Sequence, residues 1–181
     1  MRIDTDRLSL RPFKAMDAED ILGYLADPKV NCFKDEKLTT LDAAQKEALK
    51  KSKDDSKIAV VLKDGQKVIG ELFCEFNEPD TYFIGWHFNP NYEGKGYATE
   101  SASAMIHDLF TTQKARRLSA YIEDDNYPSQ NLAEKLGMRR EGLFLEFISF
   151  VTVDGQPKYE NTYQYALLKK EWLKQHAKTQ S

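Results

Sequence analysis

The spacing of apolar positions changes period several times along the chain, and each change predicts an element. Thr5 to Phe13 alternates, with Leu8 and Leu10 in phase, which predicts a first strand ending near Pro12. Asp17 is placed to cap a helix carrying Ala18, Ile21, Leu22 and Leu25, which stops before Asp27-Pro28. Thr39 or Thr40 opens a second helix with Leu41, Ala44, Ala48 and Leu49 on one face. The stretch between these helices, Lys29 to Leu38, is polar and without a period. Ile58–Leu62 and Val68–Phe76 predict a hairpin, because the Asp64-Gly65 pair between them is a strong turn signal. Tyr82, Ile84, Trp86 and Phe88 then alternate as one face of a strand. From Tyr97 to Phe110 the period becomes helical, through Ala98, Ser101, Ala102, Met105, Ile106 and Leu109. A short strand follows at Arg117–Ile122. A helix begins near Pro128 and ends at Gly137, with Leu132, Ala133 and Leu136 inward. Two strands, Leu143–Val153 and Lys158–Leu168, close on a turn at Asp154-Gly155, and Lys169–Ser181 is a helical or frayed tail. The order is β-αα-ββ-β-α-β-α-ββ. That is an α/β (α+β) arrangement around one mostly antiparallel sheet, with a parallel pair across the long central helix.

The join between strand 82–88 and helix 97–110 carries the first chemical signal. It reads Asn89-Pro90-Asn91-Tyr92-Glu93-Gly94-Lys95-Gly96-Tyr97-Ala98-Thr99-Glu100. The first N–H groups of a helix have no internal partner, and the helix dipole adds positive potential there. Two glycines before such a terminus make a cradle for phosphate, although glycine at a strand–helix turn also serves backbone freedom alone. A dinucleotide fingerprint does not fit, because its third glycine falls at Thr99. No glycine-rich loop ends in Gly-Lys-Ser/Thr, so a Walker A loop is excluded.

Composition narrows the classes further. A length of 181 residues gives room for one real core, and 41% hydrophobic with 30% charged residues is ordinary for a globular protein. Net charge is −3 with the basic residues scattered, so the stripe that nucleic-acid binding requires is missing. Two cysteines, Cys32 and Cys74, are too few for a disulfide framework, and a cytoplasmic location without a membrane segment is expected. His87, His107 and His176 lie far apart and no Cys-x-x-Cys pair exists, so no metal site is expected.

Gly94-Lys95-Gly96-Tyr97-Ala98-Thr99-Glu100 resembles the acyl-CoA-binding loop of the GNAT N-acyltransferases, whose pattern is Gln/Arg-x-x-Gly-x-Gly/Ala. Gly96 and Ala98 fill the last two fixed places, and Glu93 departs from the first. Asn126-Tyr127-Pro128-Ser129 through Glu134-Lys135-Leu136-Gly137-Met138 resembles the branch of ribosomal-protein alanine N-acetyltransferases. The opening Thr5-Asp6-Arg7-Leu8-x-Leu10-Arg11-Pro12 and Glu141-Gly142 are similar to that branch too. The resemblance runs from about Thr5 to Trp172 and implies a single GNAT-like domain over residues 1–181. It implies transfer of an acetyl group from acetyl-CoA to a primary amine, either a protein N-terminal α-amine or a small amine. The departures at Glu93, Asn131 and Ala133 leave room for a non-catalytic CoA-binding or sensing module on the same fold.

The resemblance also assigns roles. Backbone N–H groups at Gly94, Lys95, Gly96, Tyr97 and Ala98 take the pyrophosphate. The end of the strand at Trp86, His87 and Phe88 splays from its neighbour and pairs with the pantetheine arm, the side chains of Trp86 and Phe88 reading as core. Asn126 contacts the same arm. Ser129 is expected to protonate the leaving thiolate, because the tyrosine used by many relatives falls at Ala133. Asn131 replaces a phosphate-binding arginine. From the residues, Glu146 is the leading candidate base, since it sits between Phe144 and Ile148 where desolvation favours proton uptake. Glu71, Glu75 and His87 are the alternatives, and water is another. In such a fold the acceptor site is expected from the first two helices and their loop together with the loop between the last two strands, whose tip is Val153-Asp154-Gly155-Gln156-Pro157, approached by Phe147, Phe150, Tyr159 and Tyr163. The acidic residues suit a cationic amine. Monomer and homodimer are both compatible with the sequence.

Overall fold

The periods become elements in a computed structural model of the chain, which describes residues 1–177. A short strand β1 (Ile3–Asp4) precedes β2 (Leu8–Arg11), so the alternating start is two pieces with a turn between them. Helices α1 (Ala18–Leu25) and α2 (Leu41–Lys51) lead to β3 (Lys57–Leu62), β4 (Val68–Asn77) and β5 (Thr81–Phe88). Then come α3 (Tyr97–Thr111), β6 (Arg117–Glu123), α4 (Tyr127–Lys135), β7 (Arg139–Val153), β8 (Gln156–Leu168) and α5 (Lys169–Ala177). The frayed alternative for the tail is thereby replaced by a helix as far as Ala177, and the rest of the tail lies outside the described residues. Trp172 anchors α5, packing its ring 5.4 Å from Phe110.

The eight strands form one sheet in the order β1-β2-β3-β4-β5-β6-β8-β7. All neighbours are antiparallel except β5 and β6, which α3 connects. One face packs on α3 through Leu8, Leu10, Ile69, Ile84, Leu118 and Ile122 against Met105, Ile106, Leu109 and Phe110. The other face packs Ala59, Val61 and Val68 on α1 and α2 through Ile21, Leu25, Ala44 and Ala48. Each fully buried aliphatic side chain contributes about 1.5–3 kcal/mol, so the two clusters hold the helices to the sheet. Thr40 caps α2, its hydroxyl accepting from the Ala43 N–H at 3.2 Å. Asp17 does not cap α1 with its side chain as expected. Its carboxylate takes a bidentate pair from Arg11, both contacts at 2.8 Å, and the Lys14 N–H at 2.7 Å. The guanidinium outcompetes the helix N–H groups because it supplies charge as well as two donors. Among the described residues, no helix is long and apolar enough to cross a membrane.

Candidate active site

The parallel pair does not run its full length. β5 and β6 are in register only at Thr81–Arg117, Tyr82–Leu118 and Phe83–Ser119. Beyond that point β5 continues to Phe88 bonded to β4, and β6 continues to Glu123 bonded to β8. Two strand edges therefore face each other with their N–H and C=O groups unused by the sheet, which is the splaying that the resemblance implied. A cavity of about 780 Å³ fills the gap. Along its wall lie Trp86, His87 and Phe88 from β5, and Ala120, Tyr121, Ile122 and Glu123 from β6. Gly94, Gly96, Tyr97 and Ala98 lie at the glycine loop, and Asn126, Ser129 and Asn131 at the start of α4.

The loop has the shape a phosphate cradle needs. Gly94 and Gly96 adopt φ of +72° and +80°, where a side chain is strained. A Cβ on Gly94 would meet nothing within 4 Å, so the space above the loop is open. No side chain caps α3, whose N-cap is Gly96, and its first N–H groups are left for a ligand. Arg7 braces the loop from outside the cavity. It donates to the Lys95 carbonyl at 3.0 Å and to Glu100 at 2.7 Å, and it lies 4.6 Å from the centre of the Tyr97 ring. Lys95 is the one expected cofactor residue that does not line the cavity; its ammonium lies 5.2 Å from the Tyr92 ring centre.

Ser129 sits in the first turn of α4. Its N–H donates to Asn126 Oδ1 at 3.3 Å, so Asn126 caps the helix while its amide nitrogen stays available to donate. Trp86 corrects the reading of its side chain as plain core: its indole Nε1–H donates to Ser129 Oγ at 3.2 Å across the gap. An indole nitrogen only donates, so the serine oxygen accepts and its own O–H is free to donate elsewhere.

Neighbouring residues of a strand point to opposite faces. Trp86 and Phe88 pack with the α3 core, whereas His87 meets Tyr24 of α1 with ring centres 5.3 Å apart. Phe33, from the helical turn Asn31–Phe33, stacks on His87 at 3.9 Å. The cavity thus passes through the sheet, with Ser129 and the glycine loop on one side and His87, Tyr24 and the 31–33 turn on the other. Glu123 belongs to this second side and is only 7% exposed. Its carboxylate is hydrogen-bonded to the Cys32 thiol. Burial pushes that thiol far above its ordinary value, and the charge and hydrogen bond of Glu123 add to the effect. Glu123→Gln should therefore raise the alkylation rate of Cys32 by iodoacetamide roughly threefold, with Cys74 as internal control in a peptide map. An unchanged Cys32 rate would show that the contact does not form in solution.

The candidate bases fare differently from expectation. Glu146 is exposed and is not part of the cavity wall. Phe144 pairs with Thr162 and Ile148 with Glu160, so β7 carries extra residues between them and the alternation breaks there. Glu146 takes the left-handed conformation at φ +48°, its N–H donating to Asn161 Oδ1 at 3.0 Å. The apolar surroundings that motivated it are absent, and it is not carried forward as a base. Glu75 is exposed too. Glu71 is buried in an ion pair with Lys51 at 2.5 Å, outside the cavity wall. His87 does line the cavity, but burial lowers its pKa to about 4, helped by the charge of Lys51, so it stays neutral at neutral pH. Phe147, Phe150, Tyr159 and Tyr163 do not line the cavity either; Tyr159 is 57% exposed on the β7–β8 arm. Residues that sequence reasoning passed over take their place: Tyr24, Cys32, Phe33 and Glu123. The only signal for Glu123 was an acid in phase with Tyr121 at the end of a strand, whereas Tyr24, Cys32 and Phe33 belong to the first helix and the loop after it, segments expected at the acceptor site without a signal that singled out these residues.

Residues 7–139 match the acetyltransferase (GNAT) domain family. This chain belongs to the GNAT acetyltransferase family. It is 36% identical to YnaD, an uncharacterized N-acetyltransferase of Bacillus subtilis, over 95% of this chain and 99% of that one. A GNAT-family acetyltransferase structure from Bacillus anthracis superposes with a TM-score of 0.82 at 31% identity, covering 94% of this chain and 99% of its own. The ribosomal-protein-S5-alanine acetyltransferase of Vibrio fischeri shares the fold with a TM-score of 0.72 at 19% identity, covering 95% of this chain and 98% of its own. This GNAT protein is accordingly an N-acetyltransferase, and the reading of it as a non-catalytic module is set aside.

Proposed function

We propose that this GNAT protein transfers the acetyl group of acetyl-CoA to a primary amine, a protein N-terminal α-amine or a small amine, inside the cavity between β5 and β6. The observation that carries the reading is the parting of those strands beside an uncapped helix N-terminus. A pyrophosphate fits the open loop at Gly94 and Gly96, and an extended amide-bearing arm fits the free strand edges at Trp86–Phe88. Asn126 and Asn131 flank the same path. Acetyl-CoA supplies a thioester as acyl donor.

The chain's residues then have distinct tasks. The β5 edge offers N–H groups to an oxygen that gains charge. Ser129, whose oxygen already accepts from Trp86, has its O–H free for a leaving thiolate; the indole hydrogen bond polarises that O–H further. With acceptor written as ammonium, the balance is R–NH3⁺ plus acetyl-CoA giving the acetamide, CoA thiol and one proton released to solvent. An α-amine has a pKa near 8, so it reaches its neutral form with the least help from a base. That favours the α-amine in a site where His87 is already neutral and Glu146 is not part of the wall.

Ser129→Ala tests the assignment. Acetyl-CoA affinity by isothermal titration should stay within about twofold, while kcat for thiol release falls by about 100-fold, the usual scale for losing a positioned acid. Equal kcat in both proteins would remove Ser129 from the chemistry.

A further inference from the structure

On the His87 side of the cavity lie three buried polar groups, two without a hydrogen-bond partner and one held only by a weak donor. Tyr24 is 2% exposed, and His87 and Glu123 are 7% exposed. All three line the cavity. The Tyr24 hydroxyl and His87 Nδ1 make no hydrogen bond. Glu123 forms no ion pair among the described residues, and its side-chain partner is a thiol, a weak donor. The groups are gathered around one turn: Glu123 meets Cys32, Phe33 follows Cys32 in the chain and stacks on His87, and Tyr24 stands edge-on to His87.

Leaving such groups unpaired is costly. An unsatisfied buried donor or acceptor costs about 1–3 kcal/mol, and a buried carboxylate without a cation costs more. Native structures satisfy the great majority of buried polar atoms, so two exceptions and a carboxylate held only by a thiol, all on residues lining one cavity, mark where a ligand completes the set. Their chemistry defines that ligand. Glu123 lacks a cation. His87 is neutral at neutral pH, and the nearby Lys51 is paired with Glu71, so neither brings a net charge to this wall. What His87 and Tyr24 offer is hydrogen bonding to an uncharged group.

We propose that this end of the cavity is the acceptor subsite, with Glu123 holding a primary ammonium and Tyr24 and His87 hydrogen-bonding a neutral carbonyl or hydroxyl a few atoms from the amine. It rests on the acetyl-transfer reading above and narrows it. A peptide N-terminus carries such a carbonyl beside its amine, and an amino alcohol carries a hydroxyl there. A polyamine instead carries a second cation where Tyr24 and His87 offer only neutral groups.

The test uses the full chain and four defined probes: L-alaninamide, L-alaninol, sec-butylamine and 1,3-diaminopropane. Acetyl-CoA binding is measured first by isothermal titration, and thiol release is then followed with each amine. Alaninamide or alaninol should be the best acceptor, and which of the two leads distinguishes the carbonyl source from the hydroxyl source. Tyr24→Phe removes only the hydroxyl and should lower the ratio of kcat/KM for the better of these two over sec-butylamine by about 10-fold, a comparison in which the amines' own basicity cancels. Glu123→Gln should raise KM for every amine, lowering kcat/KM by about 100-fold, with acetyl-CoA affinity unchanged. Diaminopropane as the best acceptor, an unchanged ratio in Tyr24→Phe, or amine kinetics indifferent to Glu123→Gln would each overturn the subsite. Acetyl-CoA binding without turnover of any probe would overturn it too, while leaving the cofactor site standing. Absence of acetyl-CoA binding in the wild type would instead overturn the earlier reading.

Discussion

Gly96→Glu should abolish acetyl-CoA binding, with at least a ~100-fold loss by isothermal titration. Gly96 is the N-cap of a 15-residue helix and sits at φ +80°. Any side chain there carries backbone strain of about 1–2 kcal/mol. The new carboxylate would also satisfy the helix N–H groups that the pyrophosphate needs, and it would repel that anion by about 4 kcal/mol at 4 Å in a surface-like dielectric. A Cβ at Gly96 meets only Arg7 Nη2, at 3.5 Å, so the protein itself has room for the change. Circular dichroism should accordingly match the wild type. A folded variant that still binds acetyl-CoA with wild-type affinity would mean that phosphate does not lie on this loop.

Lys51→Met should destabilise the protein by about 3–5 kcal/mol, seen as a lower urea midpoint at an unchanged slope. Lys51 and Glu71 are 3% and 1% exposed, with Nζ and Oε2 at 2.5 Å. The pair joins the end of α2 to β4, and Lys51 also lies 5.6 Å from the Phe13 ring centre. Removing the cation strands a carboxylate in the interior, and total stabilities of small domains are only about 5–15 kcal/mol. Replacing both partners, Lys51→Met with Glu71→Leu, should recover most of the loss, because the desolvation of both charges is then avoided. A single variant within about 1 kcal/mol of wild type would show that water reaches the pair in solution.

The cofactor half of the site was legible because its signals are local. Gly94 and Gly96 stand between an alternating strand and a helical period, and Asn126, Pro128 and Ser129 form a helix start readable within four residues. The other half was legible only in outline: the first helix and the loop after it were expected there and do line the cavity, but the acid was placed wrongly. Glu146 illustrates why: alternation placed it between Phe144 and Ile148 on one face, but extra residues in β7 against β8 break the alternation, and nothing in the sequence of β7 alone announces a register shift. Glu71 looked like a candidate base until Lys51, twenty residues earlier, proved to be its buried partner.

By itself the sequence determined the element order, the strand–loop–helix cradle and the family resemblance, since each depends on neighbours in the chain and on period. The tertiary structure decided which acid faces the cavity and which are paired or exposed, that Trp86 reaches Ser129, and that an aperiodic turn brings Cys32 and Phe33 to Glu123 and His87. The physical reason is that burial and pairing belong to contacts between distant segments. A carboxylate's chemistry is set by what desolvates or neutralises it, and that partner has no fixed place in the sequence.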